Sequence, residues 1–124
     1  QGRNDLIRLE LAEGLWINAQ ITHDSTVHLE LQPGTEVVAL IKAGWLELMA
    51  PNQAATSGHN LLQGTIETIL DAEDGPSEVR IALPNGQTLC ALAEPLLLRT
   101  RGLSVEQSVQ VQFSPSNVLI GTPL

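Results

Sequence analysis

The sequence predicts an all-β protein made of two tandem small modules, and three features carry that prediction. Apolar and polar residues alternate over short runs, the period of a strand with one buried face. Asn85-Gly86 stands between two such runs, a strong short-range hairpin signal. The chain also repeats its own pattern 72 residues on. Leu9 falls on Ile81, Leu11 on Leu83, Gly14 on Gly86, Ile17 on Leu89 and Ala19 on Ala91. Further along, Leu31 falls on Leu103, Val37 on Val109, Ala39 on Val111, Ile41 on Phe113, Leu46 on Val118 and Leu48 on Ile120. Few of these are identities, yet apolar positions and the turn glycine stay in step, so the chain holds two copies of one module.

Each element follows from that pattern. Ile7 to Leu11 alternates, Ala12-Glu-Gly14 turns, and Leu15 to Ile21 alternates again; the second copy gives Glu78 to Leu83, Pro84-Asn-Gly86, and Gln87 to Leu92. Each module then ends in a strand pair, Thr35 to Lys42 with Trp45 to Met49, and Ser108 to Phe113 with Asn117 to Ile120. Between hairpin and last strands, Asp24 to Leu31 suits a strand poorly. Asp24 or Ser25 reads as an N-cap and Pro33-Gly34 as a stop, so one short helix belongs there. Five short strands with a helix before the fourth suggest a small closed barrel of the oligonucleotide/oligosaccharide-binding (OB) type. The second module opens with one strand more, Asn60 to Leu70, bent at Gly64. Subtracting 72 puts its counterpart before Gln1, so the first module lacks its opening strand and has an unpaired edge. The expected boundaries are residues 1–50 for the first module, 51–59 for a linker and 60–124 for the second.

Composition narrows the function. With 124 residues, 43% of them hydrophobic and 16% charged, the chain can bury a core. Six Lys+Arg against fourteen Asp+Glu give a net charge of −8, which opposes a nucleic-acid stripe and a polybasic membrane patch alike. The longest apolar runs, Val37 to Ile41 and Leu89 to Ala93, are far too short to span a bilayer. Gln1 to Asp5 are polar and do not read as a secretory signal. A single cysteine, Cys90, fits a reducing compartment and sits on a strand face expected to point to the core.

Catalytic patterns are missing. His23, His28 and His59 have no partner at zinc spacing, and no phosphate loop or nucleophile elbow is present. Asp71, Glu73 and Asp74 read as a solvated turn, with a calcium or acid/base site as the alternative; Trp16 and Trp45 read as packing residues or as ligand-stacking ones. An enzyme is not expected. An anion site fits better: Thr22 and Ser25 place two hydroxyls three residues apart at the mouth of the helix, where free N–H groups point outward. Lys42, the only lysine, ends the next strand inside an apolar run, either reaching solvent or facing an anion.

Ile41-Lys-Ala-Gly-Trp45, the paired modules, and Ala82-Leu-Pro-Asn-Gly-Gln-Thr-Leu-Cys-Ala91 resemble the molybdate-binding Mop modules, part of the wider class of transport-associated oligonucleotide-binding (TOBE) domains. The tandem order is similar to the C-terminal half of bacterial molybdate-responsive transcriptional regulators. That resemblance implies a cytoplasmic homodimer binding molybdate or tungstate between chains, with Thr22, Ser25, Lys42 and the backbone at Ala43 on one side. The other side would be a Ser-Ala-Arg-Asn stretch opening a module. Its first copy falls before Gln1; the second is the altered Ser57-Gly-His-Asn60, which makes Ser57 and His59 candidates. Gln1-Gly-Arg-Asn4 looks similar but is out of register. In the second module Thr22 falls on Glu94, Ser25 on Leu97 and Lys42 on Ser114, so only the first module is expected to bind. The expected function is a molybdate/tungstate sensor domain, contacting DNA only through a separate N-terminal domain, with no membrane and no nucleic acid for this chain alone. The alternatives are a free-standing molybdate-buffering protein and a non-binding accessory domain of an importer ATPase.

Overall fold

The computed structural model describes residues 3–12 and 14–123; Gln1 and Gly2 of the out-of-register stretch, and Glu13 of the first turn, lie outside them. In chain order the elements are β1 (Asn4–Ala12), β2 (Leu15–Thr22), α1 (His23–His28), β3 (Val38–Leu40), a 3-10 turn (Ala43–Trp45), β4 (Glu47–Met49), β5 (Asn60–Leu70), β6 (Ser77–Ala82), β7 (Thr88–Ala93), α2 (Pro95–Arg101), β8 (Ser108–Phe113), a second 3-10 turn (Pro115–Asn117) and β9 (Leu119–Gly121). The 72-residue offset relates the two turns and the two last strands residue for residue. The fold is all-β with two short helices, as the alternation predicts.

The chain divides into two units: Gln1–Ile41 with Ser114–Leu124, and Lys42–Phe113. In the first, β1 and β2 form a hairpin with Asn4 opposite Thr22 and Glu10 opposite Trp16. The turn uses Gly14 at φ 81°, a left-handed conformation that costs glycine little. Alternation buries Leu9, Ile17 and Ala19 on one face. A separate ladder joins β3 to β9, Ala39 opposite Ile120.

The second unit is one antiparallel sheet in the order β4-β8-β5-β6-β7. Its long strand β5 serves two partners, pairing β8 through Asn60–Thr65 and β6 through Thr65–Leu70. Gly64 lies at the handover. A Cβ there would sit 2.5 Å from Ile81 Cγ2 and 2.7 Å from the Ala82 carbonyl oxygen, so the bend that the sequence marked exists because a side chain would not fit. Ile66, Val79, Ile81, Val109, Val111 and Phe113 are all but inaccessible and form the core. Residues 50–56 are tied to β8: Gln112 donates to Glu47 Oε1 at 2.6 Å and accepts the Thr56 N–H at 2.8 Å, while Gln110 donates to the Pro51 carbonyl.

Several expectations need correction. The last two strands of each module do not pair with each other: β4 joins β8 and β9 joins β3, so the modules exchange their final strands. A 3-10 turn flanked by extended residues explains this, since Trp45 N–H and Leu46 N–H bond back to Lys42 and Ala43 inside the turn and no hairpin ladder starts. The sheets are also open rather than closed barrels; β1-β2 and β3-β9 are separate, and the edges β4 and β7 approach without a ladder. Cys90 is exposed, because Ala91 and Ala93 hold the buried parity of β7. The cap of α1 is Thr22, not Asp24 or Ser25, and the helix starts two or three residues earlier than its composition suggested.

Gly64→Ala is expected to cost about 1–3 kcal/mol by overpacking against Ile81. A fall in the urea midpoint would show it, and an unchanged midpoint would contradict the close-approach reading.

Candidate functional site

The hydroxyl pair forms where β2 runs into α1. Thr22 has an extended backbone and its Oγ1 accepts the Ser25 N–H at 3.2 Å, the geometry of an N-cap. The two hydroxyl oxygens lie 2.9 Å apart, Thr22 exposed and Ser25 half-buried. A shallow groove beside them is lined by Asp24, Ser25, His28, Leu29 and Ile120. The adjoining turn is clamped from β1: the His23 N–H donates to the Arg3 carbonyl at 2.8 Å, and His23 Nδ1 lies 2.8 Å from Asp5 Oδ2, with the Arg3 guanidinium 3.3 Å from Nε2. The His23 hydrogen bond foremost, then one from Thr26, holds the Asp5 carboxyl below its ordinary value of 3.8. His23 is thus half-buried and partnered.

Lys42 belongs to the other unit. It precedes the Ala43–Trp45 turn with an extended backbone, and its Nζ stands 5.1 Å from the centroid of the Trp45 ring. Trp16 is covered in the same way, with the Arg8 guanidinium 4.5 Å from its centroid. Neither tryptophan lies in the core; both are about two-fifths exposed, with a cation over the face. Ser57 and His59 are exposed in a turn around Gly58 at φ 80°, closed by the His59 N–H on the Thr56 carbonyl at 3.0 Å.

The counterparts in the second copy are built differently. Glu94 occupies the cap position of α2 without a side-chain capping bond, and Pro95 follows it. Ser114, in the place of Lys42, accepts the Ser116 N–H at 3.3 Å, and the two serine hydroxyls lie 2.8 Å apart. Because the last strands are exchanged, this Pro115–Asn117 turn packs on β2, the strand that ends in Thr22, while the Ala43–Trp45 turn packs on β7. Ser116 did not stand out in the sequence, where only the loss of lysine at position 114 was visible. Asp71, one of the turn carboxylates, accepts from Ser77 Oγ at 2.8 Å, and no group of three metal-ligating side chains occurs among the described residues.

Comparison with known proteins decides the family. The TOBE domain model matches residues 1–48 and again residues 56–120. This chain belongs to the TOBE domain family. Over 86% of its length it is 37% identical to the transcriptional regulator ModE of Yersinia pestis, covering 40% of that protein. It is 30% identical, over 97% of its length, to the molybdenum-pterin-binding protein MopA of Rhodobacter capsulatus, covering 45% of that protein. Among solved structures, the cytoplasmic molybdate-binding protein ModG, crystallised with molybdate bound, matches with a TM-score of 0.89 at 31% identity, over 97% of this chain and 85% of that one. The TOBE pair therefore spans about two-fifths of the length of the curated regulators it matches. These relatives are named as a transcriptional regulator, a molybdenum-pterin-binding protein and a molybdate-binding protein. No helix among the described residues is long and apolar enough to cross a membrane.

Two outcomes follow for this TOBE pair. Thr22→Ala removes the cap of a six-residue helix and is expected to cost about 1 kcal/mol, read from the urea midpoint, with Thr22→Ser largely restoring it. Asp5 has a lowered folded-state pKa, so its stabilisation is present above its ordinary value and is lost as pH falls through the folded one. The stability gap between parent and Asp5→Asn should be open at about pH 6 and close under acid; a gap independent of pH would refute the clamp.

Proposed function

We propose that this TOBE pair is the molybdate-binding sensor domain of a molybdate-dependent transcriptional regulator, acting as a homodimer in the cytoplasm. One observation carries the reading: 97% of the chain shares the fold of ModG, a protein crystallised with molybdate, at 31% identity. The regulator assignment draws support from the 37% identity to ModE.

The chemistry suits a tetrahedral dianion, molybdate or tungstate. Thr22 and Ser25 offer two hydroxyls, one of which now donates to the other, and Lys42 is a cation resting on an aromatic face without a carboxylate partner at ion-pair distance among the described residues. In a dimer these groups, with the Ala43 backbone and with Ser57 and His59 as secondary candidates, would face one oxyanion. Leaving the Trp45 ring costs about 0.5–1 kcal/mol at an exposed site, which a charge-assisted hydrogen bond of about 1.5–3 kcal/mol offsets. Glu94 and Ser114 lack that complement, so the second copy serves the architecture. An anion gripped by two chains favours the arrangement that contacts it from both sides, and a DNA-binding domain elsewhere in a regulator would read that arrangement. The match to MopA and to 85% of ModG favours a second reading, a free-standing molybdate buffer built of the same domains.

Titration calorimetry of the purified chain is the test. Molybdate should bind at micromolar concentration or tighter with no heat from sulfate, and Lys42→Ala should weaken binding at least about tenfold. Silence toward molybdate, or equal binding by the Lys42→Ala variant, would overturn the assignment.

A further inference from the structure

The two helices take equivalent places in the 72-residue repeat but are held by different means. In the second copy α2 opens on Pro95, buries Leu98 and closes on Gly102 in a left-handed conformation. Its counterpart α1 has six residues, buries none of them, and carries Thr26 where Leu98 would fall. A helix of that length does not hold itself, and no apolar anchor holds it here. Polar residues do so instead. Asp5 of β1 places Oδ2 2.8 Å from Nδ1 of His23, the first residue of α1, and a carboxylate there accepts the ring N–H. The Arg3 guanidinium rests against the same ring, 3.4 Å from Nδ1 and 3.3 Å from Nε2. The Thr26 hydroxyl is shared between the Asp5 carboxyl and the Thr22 carbonyl, the latter 3.4 Å away. Thr22 and Ser25 are thus each adjacent in the chain to a clamped residue. The second copy lacks the clamp and the hydroxyls together: Arg3 falls on Gly75, Asp5 on Ser77, His23 on Pro95 and Thr26 on Leu98, as Thr22 falls on Glu94 and Ser25 on Leu97.

We propose that Asp5 and His23 are positioning residues of the first copy's oxyanion site: the bond from the His23 Nδ1–H to the Asp5 carboxylate fixes the first turn of α1 so that the Thr22 and Ser25 hydroxyls converge, and neither residue touches the anion. The role rests on the molybdate-binding function proposed above. Charge selects geometry as the reason for Asp5. A carboxylate beside a site for a dianion repels it, in a chain already at −8, and Arg3 offsets only that repulsion. What the carboxylate contributes to binding is therefore the place of the turn. Hydroxyls 2.9 Å apart must swing toward a third group together, and a frayed turn would have to be ordered again at each binding event.

Calorimetric titration with molybdate tests this on the parent chain, Asp5→Ala, Asp5→Asn, His23→Ala and the Asp5→Ala/His23→Ala double variant. Asparagine keeps an oxygen for the His23 N–H while removing the charge, and a dissociation constant measured on folded chain does not register global stability. Asp5→Ala and His23→Ala should each weaken binding at least about fivefold. The double variant should be no weaker than either single one, and Asp5→Asn should stay within about twofold of the parent. In both alanine variants amide exchange should quicken at Ser25, whose N–H bonds Thr22 Oγ1, and stay unchanged across β5 and β8. Asp5→Ala binding as tightly as the parent, or tighter, would overturn the proposal. So would an Asp5→Asn loss equal to that of Asp5→Ala, or losses that add in the double variant. If Asp5→Ala does not fold, His23→Ala opens the same bond and the Asp5→Asn comparison stands. A parent that takes no molybdate overturns the function itself; a parent that binds, with Lys42→Ala weakened and the clamp variants unchanged, overturns only the positioning role.

Discussion

Leu48 lies opposite Val111 and Ile120 opposite Ala39, and through these two short registers each module's last strand is built into the sheet of the other. Both strands are three residues long, so little backbone hydrogen bonding commits the exchange. Burial commits β4 instead: Leu48 and Met49 are 4% and 3% exposed, and the outward face of β8 is closed by Gln112 on Glu47 and Thr56. Arg101 reinforces the seat of β4 by donating to the Leu48 carbonyl at 2.9 Å. The chain passes from one unit to the other between Ile41 and Lys42.

Most of the fold was legible because local pattern and burial agree. β5 runs over Asn60–Leu70, the span that alternation marks, and the Asn85-Gly86 turn falls where the hairpin signal lies. The exchange was not legible. No residue type distinguishes the partner of a three-residue strand. Cys90 illustrates a smaller failure: Leu89-Cys-Ala-Leu-Ala93 is apolar throughout, so its alternation is silent and either parity could point inward. The site was legible as residue types rather than as geometry. Thr22 and Ser25 stand at hydroxyl contact, as their spacing suggests, yet the His23–Asp5 clamp beside them joins residues 18 apart that no motif links.

The electrostatics sharpen the reading of the site. A chain of net charge −8 repels anions at long range. Any oxyanion site in it must act through near contacts, where hydroxyls, backbone N–H groups and one cation outweigh the overall field. Holding Lys42 on an aromatic face suits that requirement, because the ring keeps the charge in place without neutralising it. The divergence of the two copies has the same logic: a carboxylate at Glu94 and a serine at Ser114 remove both attractions while leaving the strands intact.

Anomalous scattering at the molybdenum edge, from crystals of the chain grown with molybdate, tests the central claim most directly. A molybdenum peak within hydrogen-bond reach of Thr22 Oγ1, Ser25 Oγ and Lys42 Nζ, contributed by one chain or by two, is the expected result. A fully ordered structure with no such peak, or with the anion held only by residues around Glu94 and Ser114, would contradict it.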